Sequence, residues 1–215
     1  SMPHNLPSER SSLIGREPQI AALRQLLAGS RLVTLTGIGG VGKTRLAIAA
    51  AERLADSYEH GVYFIDLSGL RESASVPATI AHTIGATHAG RRPSAVEETL
   101  KRALRDRHVL LVLDNFEGVL EAGKAIDELL SARAPVRDLV NSRQPLRTAT
   151  ERQYEVAPPG TPNLSALPSL DLLRQIEAVE LFIERVQILR PSGQSRSSNK
   201  RSNCTGRYEI GEWSR

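Results

Sequence analysis

The stretch Leu32-Val33-Thr34-Leu35-Thr36-Gly37-Ile38-Gly39-Gly40-Val41-Gly42-Lys43-Thr44 decides the fold. Its first five residues carry no charge and include the β-branched Val33, Thr34 and Thr36, which predicts a short buried strand. Gly37 to Thr44 then fits G-x-x-x-x-G-K-[ST] at every fixed position. From Lys43 to Ala55 the chain is rich in Ala, Leu and Ile and predicts a helix. Strand, glycine loop and helix in that order are the setting in which such a loop holds phosphate. The glycines can take φ > 0 and turn successive backbone N–H groups toward phosphate oxygens. The helix N-terminus adds its partial positive charge at the same place. Lys43 would put a cation on the β- and γ-phosphates, and the Thr44 hydroxyl would ligate Mg²⁺. The candidate binding set is Gly37, Gly39, Gly40, Val41, Gly42, Lys43, Thr44 and Arg45. The bland alternative is a glycine-rich turn with an incidental Lys-Thr.

Outward from this stretch, strands and helices alternate. Upstream, Pro18 opens a helix whose Ile20, Leu23, Leu26 and Leu27 recur at helical spacing, and Gly29 ends it. Downstream, strands are predicted at Val62–Leu67, Val109–Leu113, 136–141 and Tyr154–Val156, with helices near 76–85, 95–106 and 119–132. Such alternation builds βαβ units, so the expected fold is α/β: a mainly parallel sheet of about five strands in a three-layer sandwich. A phosphate loop needs an acid at the end of another apolar strand to hold the metal through water. Val109-Leu110-Leu111-Val112-Leu113-Asp114 supplies it, making Asp114 the second Mg²⁺ residue beside Thr44. An apolar run ending in Asp is common by itself; its pairing with the loop gives it meaning. The next residue is Asn115, where many hydrolytic P-loop ATPases carry a second acid that polarises water. Glu117 is the nearest replacement, although an exposed loop glutamate is often simply solvated. Without a base, catalysis rests on positioning and electrostatics, and turnover is slow.

Composition excludes several classes. At 215 residues, 40% hydrophobic and 24% charged, the chain can pack a core and is not wholly disordered. No apolar run approaches the ~18 residues of a membrane span, so no membrane role is expected. One cysteine allows neither an internal disulfide nor a cysteine-rich zinc site, and a cytoplasmic address follows. His4, His60, His82, His88 and His108 show no metal-ligand spacing. The pI of 9.6 suggests nucleic acid. Yet the tail from Pro191 carries Arg196, Lys200, Arg201, Arg207 and Arg215 against Glu209 and Glu212, which is +3 of the net +4. Its few charges promise only weak, salt-sensitive binding. Asn199-Lys200 lacks the aspartate of a guanine-reading Asn-Lys-x-Asp, so GTP is not indicated.

Four motifs in order carry a family resemblance. Leu13-Ile14-Gly15-Arg16-Glu17, GIGGVGKTRLA, LLVLDNFE and LVNSRQPLR follow one another as in STAND-class (NB-ARC-like) regulatory ATPases. The chain most resembles the module in bacterial LuxR/AfsR-type transcriptional regulators, over about residues 12–190. The resemblance implies that Ile14, Gly15 and Arg16 lie against adenine and ribose. It implies that Arg143, in Asn141-Ser142-Arg143 where the family has Thr-Ser-Arg, senses the γ-phosphate and joins Lys43, Asp114 and Glu117 as a catalytic candidate. An arginine at the C-terminal end of a strand is where open α/β sheets bind ligands; a surface arginine is the alternative. Strands numbered along the chain would lie in the order 5-1-4-3-2. The ligands implied are ATP or ADP with Mg²⁺, in a slow ATP-hydrolysing switch. Protein partners or self-association belong to the full-length setting, and DNA enters only through a domain absent from this sequence. A non-hydrolysing ADP-binding scaffold, or an inactive truncated product, is the rival reading.

The expected organisation is a tag scar (Ser1) and flexible lead-in over 1–12, a nucleotide-binding domain over 13–157 and a proline-rich linker over 158–169. Residues 170–190 would be one helix of an incomplete helical subdomain, whose Ala178-Val179-Glu180-Leu181-Phe182 matches its first helix, and 191–215 a disordered basic tail. The family's Gly-Leu-Pro-Leu motif and winged helix are missing where the Ser, Arg and Asn-rich tail begins. A truncated or frame-shifted product and a native tail both fit that change.

Overall fold

In the computed structural model five parallel strands form one sheet: β1 (Leu32–Thr36), β2 (Val62–Asp66), β3 (Leu110–Asp114), β4 (Arg137–Asn141) and β5 (Glu151–Glu155). Their order is β2-β3-β4-β1-β5, the expected 5-1-4-3-2 read from the other edge. The structure describes residues 3–8, 15–86, 93–131, 135–158, 178–179 and 182–183. Ile14, His88, Arg91, Arg92, the stretch from residue 159 and the tail lie outside the described residues. So does the helix expected at 170–190, apart from Ala178, Val179, Phe182 and Ile183, which are helical.

Side chains alternate across a strand, so a sheet with helices on both faces needs strands that are apolar throughout. The sequence meets that demand in the central strands. In β3 all five residues are buried, and in β1 Leu32, Val33 and Leu35 are fully so. Val33, Leu35, Leu110 and Val112 face α1 (Glu17–Gly29) and α2 (Lys43–Leu54), packing on Leu23, Leu27, Leu46 and Ala50. Leu32, Leu111, Leu113 and Val140 face the other way, toward Ile80 of α3 (Val76–Thr83), Leu100 of α4 (Pro93–Leu104) and Ile126 of α5 (Gly123–Ser131). Each such side chain contributes about 1.5–3 kcal/mol on burial, so the two apolar layers dominate the stability of the sheet.

Differences from the expected boundaries have local causes. β5 starts at Glu151, three residues before the predicted Tyr154. Its Glu-Arg-Gln-Tyr-Glu sequence is polar because it is an edge strand with exposed positions, and pairing with β1 holds it. The helix expected from residue 119 is delayed. Asn115 takes a left-handed conformation (φ 60°), two short turns follow, and α5 begins only at Gly123. The opposite edge is covered by residues from the lead-in. Pro3 accepts a hydrogen bond from the Val62 amide at 3.1 Å, and the Asn5 side chain brackets Phe64, donating to its carbonyl (2.8 Å) and accepting from its amide (2.6 Å). A side-chain amide thus stands in for a neighbouring strand and blunts an exposed edge.

One residue runs against the core's chemistry. Asp138, in β4 between Leu32 and Leu111, is fully buried, and neither of its carboxyl oxygens has a hydrogen-bond partner. Thr34 Oγ1, on the neighbouring strand, is likewise unpaired. Burial pushes the Asp138 carboxyl well above the usual carboxylate range, so the folded protein holds this proton more tightly than the unfolded chain does. The unfolded chain releases that proton at the ordinary value. Stability from this residue is therefore full below that value and declines as pH rises toward the raised folded one. Asp138→Asn is expected to match the parent near pH 4 and to exceed it by about 1–3 kcal/mol at pH 8. Urea denaturation across pH checks this; parallel curves for the two proteins would refute it.

Candidate functional site

β1 runs directly into the glycine loop, and α2 leaves it. Gly42 caps α2 with φ 93°, a left-handed conformation that lets the loop turn its amides into the helix axis. Gly37 is constrained by contact: a Cβ there would meet the Val156 carbonyl oxygen at 2.9 Å. The Lys43 side chain is buried and folds back over the loop, its Nζ donating to the carbonyls of Gly37 (2.8 Å) and Ile38 (3.0 Å). Burial pushes the pKa of this ammonium below its usual value. The Glu117 carboxylate opposes the shift, Arg143 reinforces it and Asp114 opposes it.

Asp114 ends β3 beneath the loop. Thr44 Oγ1 donates to Asp114 Oδ1 at 2.9 Å, and Asn141 Nδ2 donates both to Thr44 Oγ1 (2.7 Å) and to Asp114 Oδ1. Burial raises the pKa of the Asp114 carboxyl, the hydrogen bonds from Thr44 and Asn141 oppose the rise, and the neighbouring Asp66 charge adds to it. Asn115 Nδ2 bridges the two acids, donating to Asp66 Oδ1 (3.0 Å) and Asp114 Oδ2 (3.1 Å). At Asp66 burial pushes up, but hydrogen bonds from Ser68 and Asn115 outweigh it and hold the carboxyl below its usual range.

Arg143 follows β4 and lies over the loop, its guanidinium 3.7 Å from where a Gly39 Cβ would stand. Its Nε is 3.1 Å from Glu117 Oε1. The Arg143 side chain is 66% exposed and that of Glu117 28%, so this ion pair is worth about 0–1 kcal/mol and yields easily to a stronger anion. Together Gly39, Gly40, Gly42, Lys43, Thr44 and Arg45 face Asn115, Glu117, Asn141 and Arg143 across a cleft of about 220 Å³.

The remaining candidates are placed elsewhere. The chain turns at Gly15 (φ 71°), and the buried Arg16 side chain reaches inward rather than into the cleft. It donates to the carbonyls of Val41 (3.3 Å) and Ala157 (3.1 Å), fastening the loop to the segment after β5. Val41 is buried in the layer beneath. Ile14 lies outside the described residues.

Sequence reasoning missed Asp66, although its signal was the one used for Asp114, an apolar run ending in Asp. Asn141 enters the sequence reading only as the residue that stands where the family has threonine, two positions before Arg143. In the structure Asn141 is the only residue that donates hydrogen bonds to both Thr44 and Asp114 among those described.

The AAA domain family matches residues 26–151. An HTH-type transcriptional regulator of Mycobacterium tuberculosis is 39% identical over 170 residues, covering 79% of this chain and 17% of its own length. The regulatory protein AfsR of Streptomyces griseus is 28% identical over 197 residues, covering 84% of this chain and 18% of that one. The chain thus spans under a fifth of these regulators. Among solved structures, Cdc6p of Pyrobaculum aerophilum superposes with a TM-score of 0.53 at 16% identity, covering 86% of this chain and 52% of that one. That likeness is one of fold.

The geometry makes Asn141 testable without a ligand. Asn141→Ala removes a donor from a buried carboxylate, which is expected to cost about 1.5–3 kcal/mol near neutral pH. The Asp114 pKa should rise further, as followed by the Asp114 ¹³Cγ shift during titration. An unchanged Asp114 titration would show that Asn141 does not hold the carboxylate.

Proposed function

We propose, on the premise that this chain belongs to the AAA domain family and is a P-loop nucleotide-binding domain, that it is an adenine-nucleotide switch of the STAND (NB-ARC-like) kind from a transcriptional regulator. The reading is carried by one observation. Lys43, Arg143 and Thr44, whose hydroxyl donates to the buried Asp114, all border one cleft at the N-terminus of α2. The order of the four sequence motifs and the likeness to regulators such as AfsR support the finer assignment.

In this reading the loop amides and the end of α2 receive the phosphates. Lys43 exchanges its two loop carbonyls for phosphate oxygens, so binding replaces hydrogen bonds already formed and needs little reorganisation of the loop. Arg143 leaves its weak contact with Glu117 for the terminal phosphate, which makes the arrangement responsive to ATP against ADP. Freed Glu117, a carboxylate on the wall of the same cleft, then orients water. Gly15 and Arg16 act with Ile14 at the nucleoside side, Arg16 by bracing Val41 of the loop.

The donor set fits Mg²⁺: a hydroxyl and a carboxylate, 2.9 Å apart, are hard oxygen ligands of the kind this ion takes while keeping waters. Thr44 and Asp114 would hold it. Its chemistry there is to neutralise phosphate charge. Asp66 and Asn115 would keep the Asp114 carboxylate oriented toward it.

One observation favours a second reading, a non-hydrolysing ADP-binding scaffold. Asn115 occupies the position after Asp114, and Glu117 is engaged by Arg143. Partners, DNA contact and self-association then belong to the rest of a longer regulator.

Saturating Mg·ATP or Mg·ADP, at 100 times Kd, is expected to stabilise the domain by about 2.7 kcal/mol, or roughly 5–10 °C in Tm. Lys43→Ala should abolish the shift while leaving the ligand-free protein folded. Absence of any shift in folded protein would end the nucleotide reading. Phosphate release no faster than in Lys43→Ala, with the shift present, would select the scaffold.

A further inference from the structure

The end of the sheet opposite the phosphate loop holds a second polar site. There β3 and β4 begin, α1 and α2 finish, and a pocket of about 230 Å³ opens between Arg24, Tyr58, His108 and Arg137. Leu27, Ala28 and Leu54 supply an apolar wall. None of the residues lining it is acidic.

Several of its donors have no acceptor among the described residues. Arg137 donates through Nε to the Leu27 carbonyl (3.1 Å) and through Nη1 to the Val136 carbonyl (3.2 Å), while its Nη2 makes no hydrogen bond among the described residues. The Arg24 guanidinium and the Tyr58 and Ser57 hydroxyls are equally unused among those residues. Tyr58 is 5% exposed and its ring lies 5.0 Å from that of His108, tilted by 50°. Burial pushes the Tyr58 phenol up to about 12, against the pull of the Arg137 charge, so the hydroxyl stays a donor at any physiological pH. Cations also gather at helix C-termini to offset the partial negative charge there, and Arg137 does this at Leu27. That role leaves Arg24, Tyr58 and Ser57 unaccounted for. Water can satisfy donors at an open surface, but two guanidinium groups facing one small cavity without a carboxylate favour an anion.

We propose that this pocket binds a small organic anion, a carboxylate or phosphate on a compact apolar body, with its charged group between Arg24, Arg137 and the Tyr58 hydroxyl and its body on Leu27 and Leu54. Neither the phosphate loop nor Asp114 takes part, so the site stands apart from the nucleotide reading. Its size admits a single ring or a short branched chain rather than a nucleotide.

The test uses benzoate and phenyl phosphate as probes and benzyl alcohol as the neutral control, followed by NMR on the labelled 215-residue chain. Both anions, or one of them, should shift resonances of Arg24, Leu27, Tyr58, His108 and Arg137 saturably, with Kd on the order of 1 mM for ligands this small. Benzyl alcohol should bind at least about tenfold more weakly. Arg24→Glu places a carboxylate at an exposed, unpaired position, so it should fold normally and weaken the anions by about tenfold or more. Arg24→Lys should retain most of the binding. Saturation by phenyl phosphate alone would identify a phosphate site, and by benzoate alone a carboxylate site. The proposal is overturned by shifts confined to Gly37–Thr44, by no saturation up to about 20 mM, or by equal binding of benzyl alcohol or to Arg24→Glu.

Discussion

Asp114 is the constraint around which the rest of the site is arranged. Its carboxylate is buried at the end of β3, and taking a charge out of water is costly unless donors meet it. Three come from different elements: Thr44 from the first turn of α2, Asn141 from the end of β4 and Asn115 from the turn after β3. They converge only because β4 lies between β1 and β3, which sets Leu35 of β1 beside Asn141, and Leu113 of β3 beside Val140. A different strand order would leave the carboxylate buried without Asn141. Sheet topology and site electrostatics are one requirement.

The loop itself is braced before any phosphate arrives. Arg16 ties Val41 to Ala157, Gly37 lies where a Cβ would crowd the Val156 carbonyl, and Lys43 bonds two loop carbonyls. These bonds are buried or half-buried and worth about 1–3 kcal/mol each where a charge is involved. The Arg143–Glu117 contact is exposed and far weaker. Strong bonds therefore shape the loop, and the weak one sits where ligand-dependent change would have to occur. Asp138 is the opposite case, a buried carboxyl with no donors, and burial without them pushes its pKa up.

Legibility followed physical range. The apolar runs of β1 and β3, the helical spacing of α1 and the helix-forming composition of α2 are local, and these elements are readable to within a few residues. β5 was shortened because Glu151, Arg152 and Gln153 look like loop; only pairing with β1 makes them a strand. Residues 119–122 read as the start of a helix because Val119 and Leu120 are apolar, whereas a left-handed Asn115 redirects the chain and α5 begins only at Gly123. Gly37 to Thr44 and Asp114 were visible as a spaced motif. Asp66 and the bridging role of Asn141 were not, since each depends on partners 49 and 97 positions away.

By itself the sequence determined the α/β class, the strand order through its family resemblance, and the chemistry at the C-terminal ends of the strands, because glycine spacing and apolar runs act over a few residues. Tertiary structure alone decided which polar groups meet. It turned Arg16 inward as a brace, set Glu117 against Arg143, and gave Asn141 two acceptors at once. It also gathered Arg24, Tyr58, His108 and Arg137 at the far end of the sheet. Hydrogen bonds and ion pairs act over a few ångströms, and only the folded chain brings residues so distant in sequence within that reach.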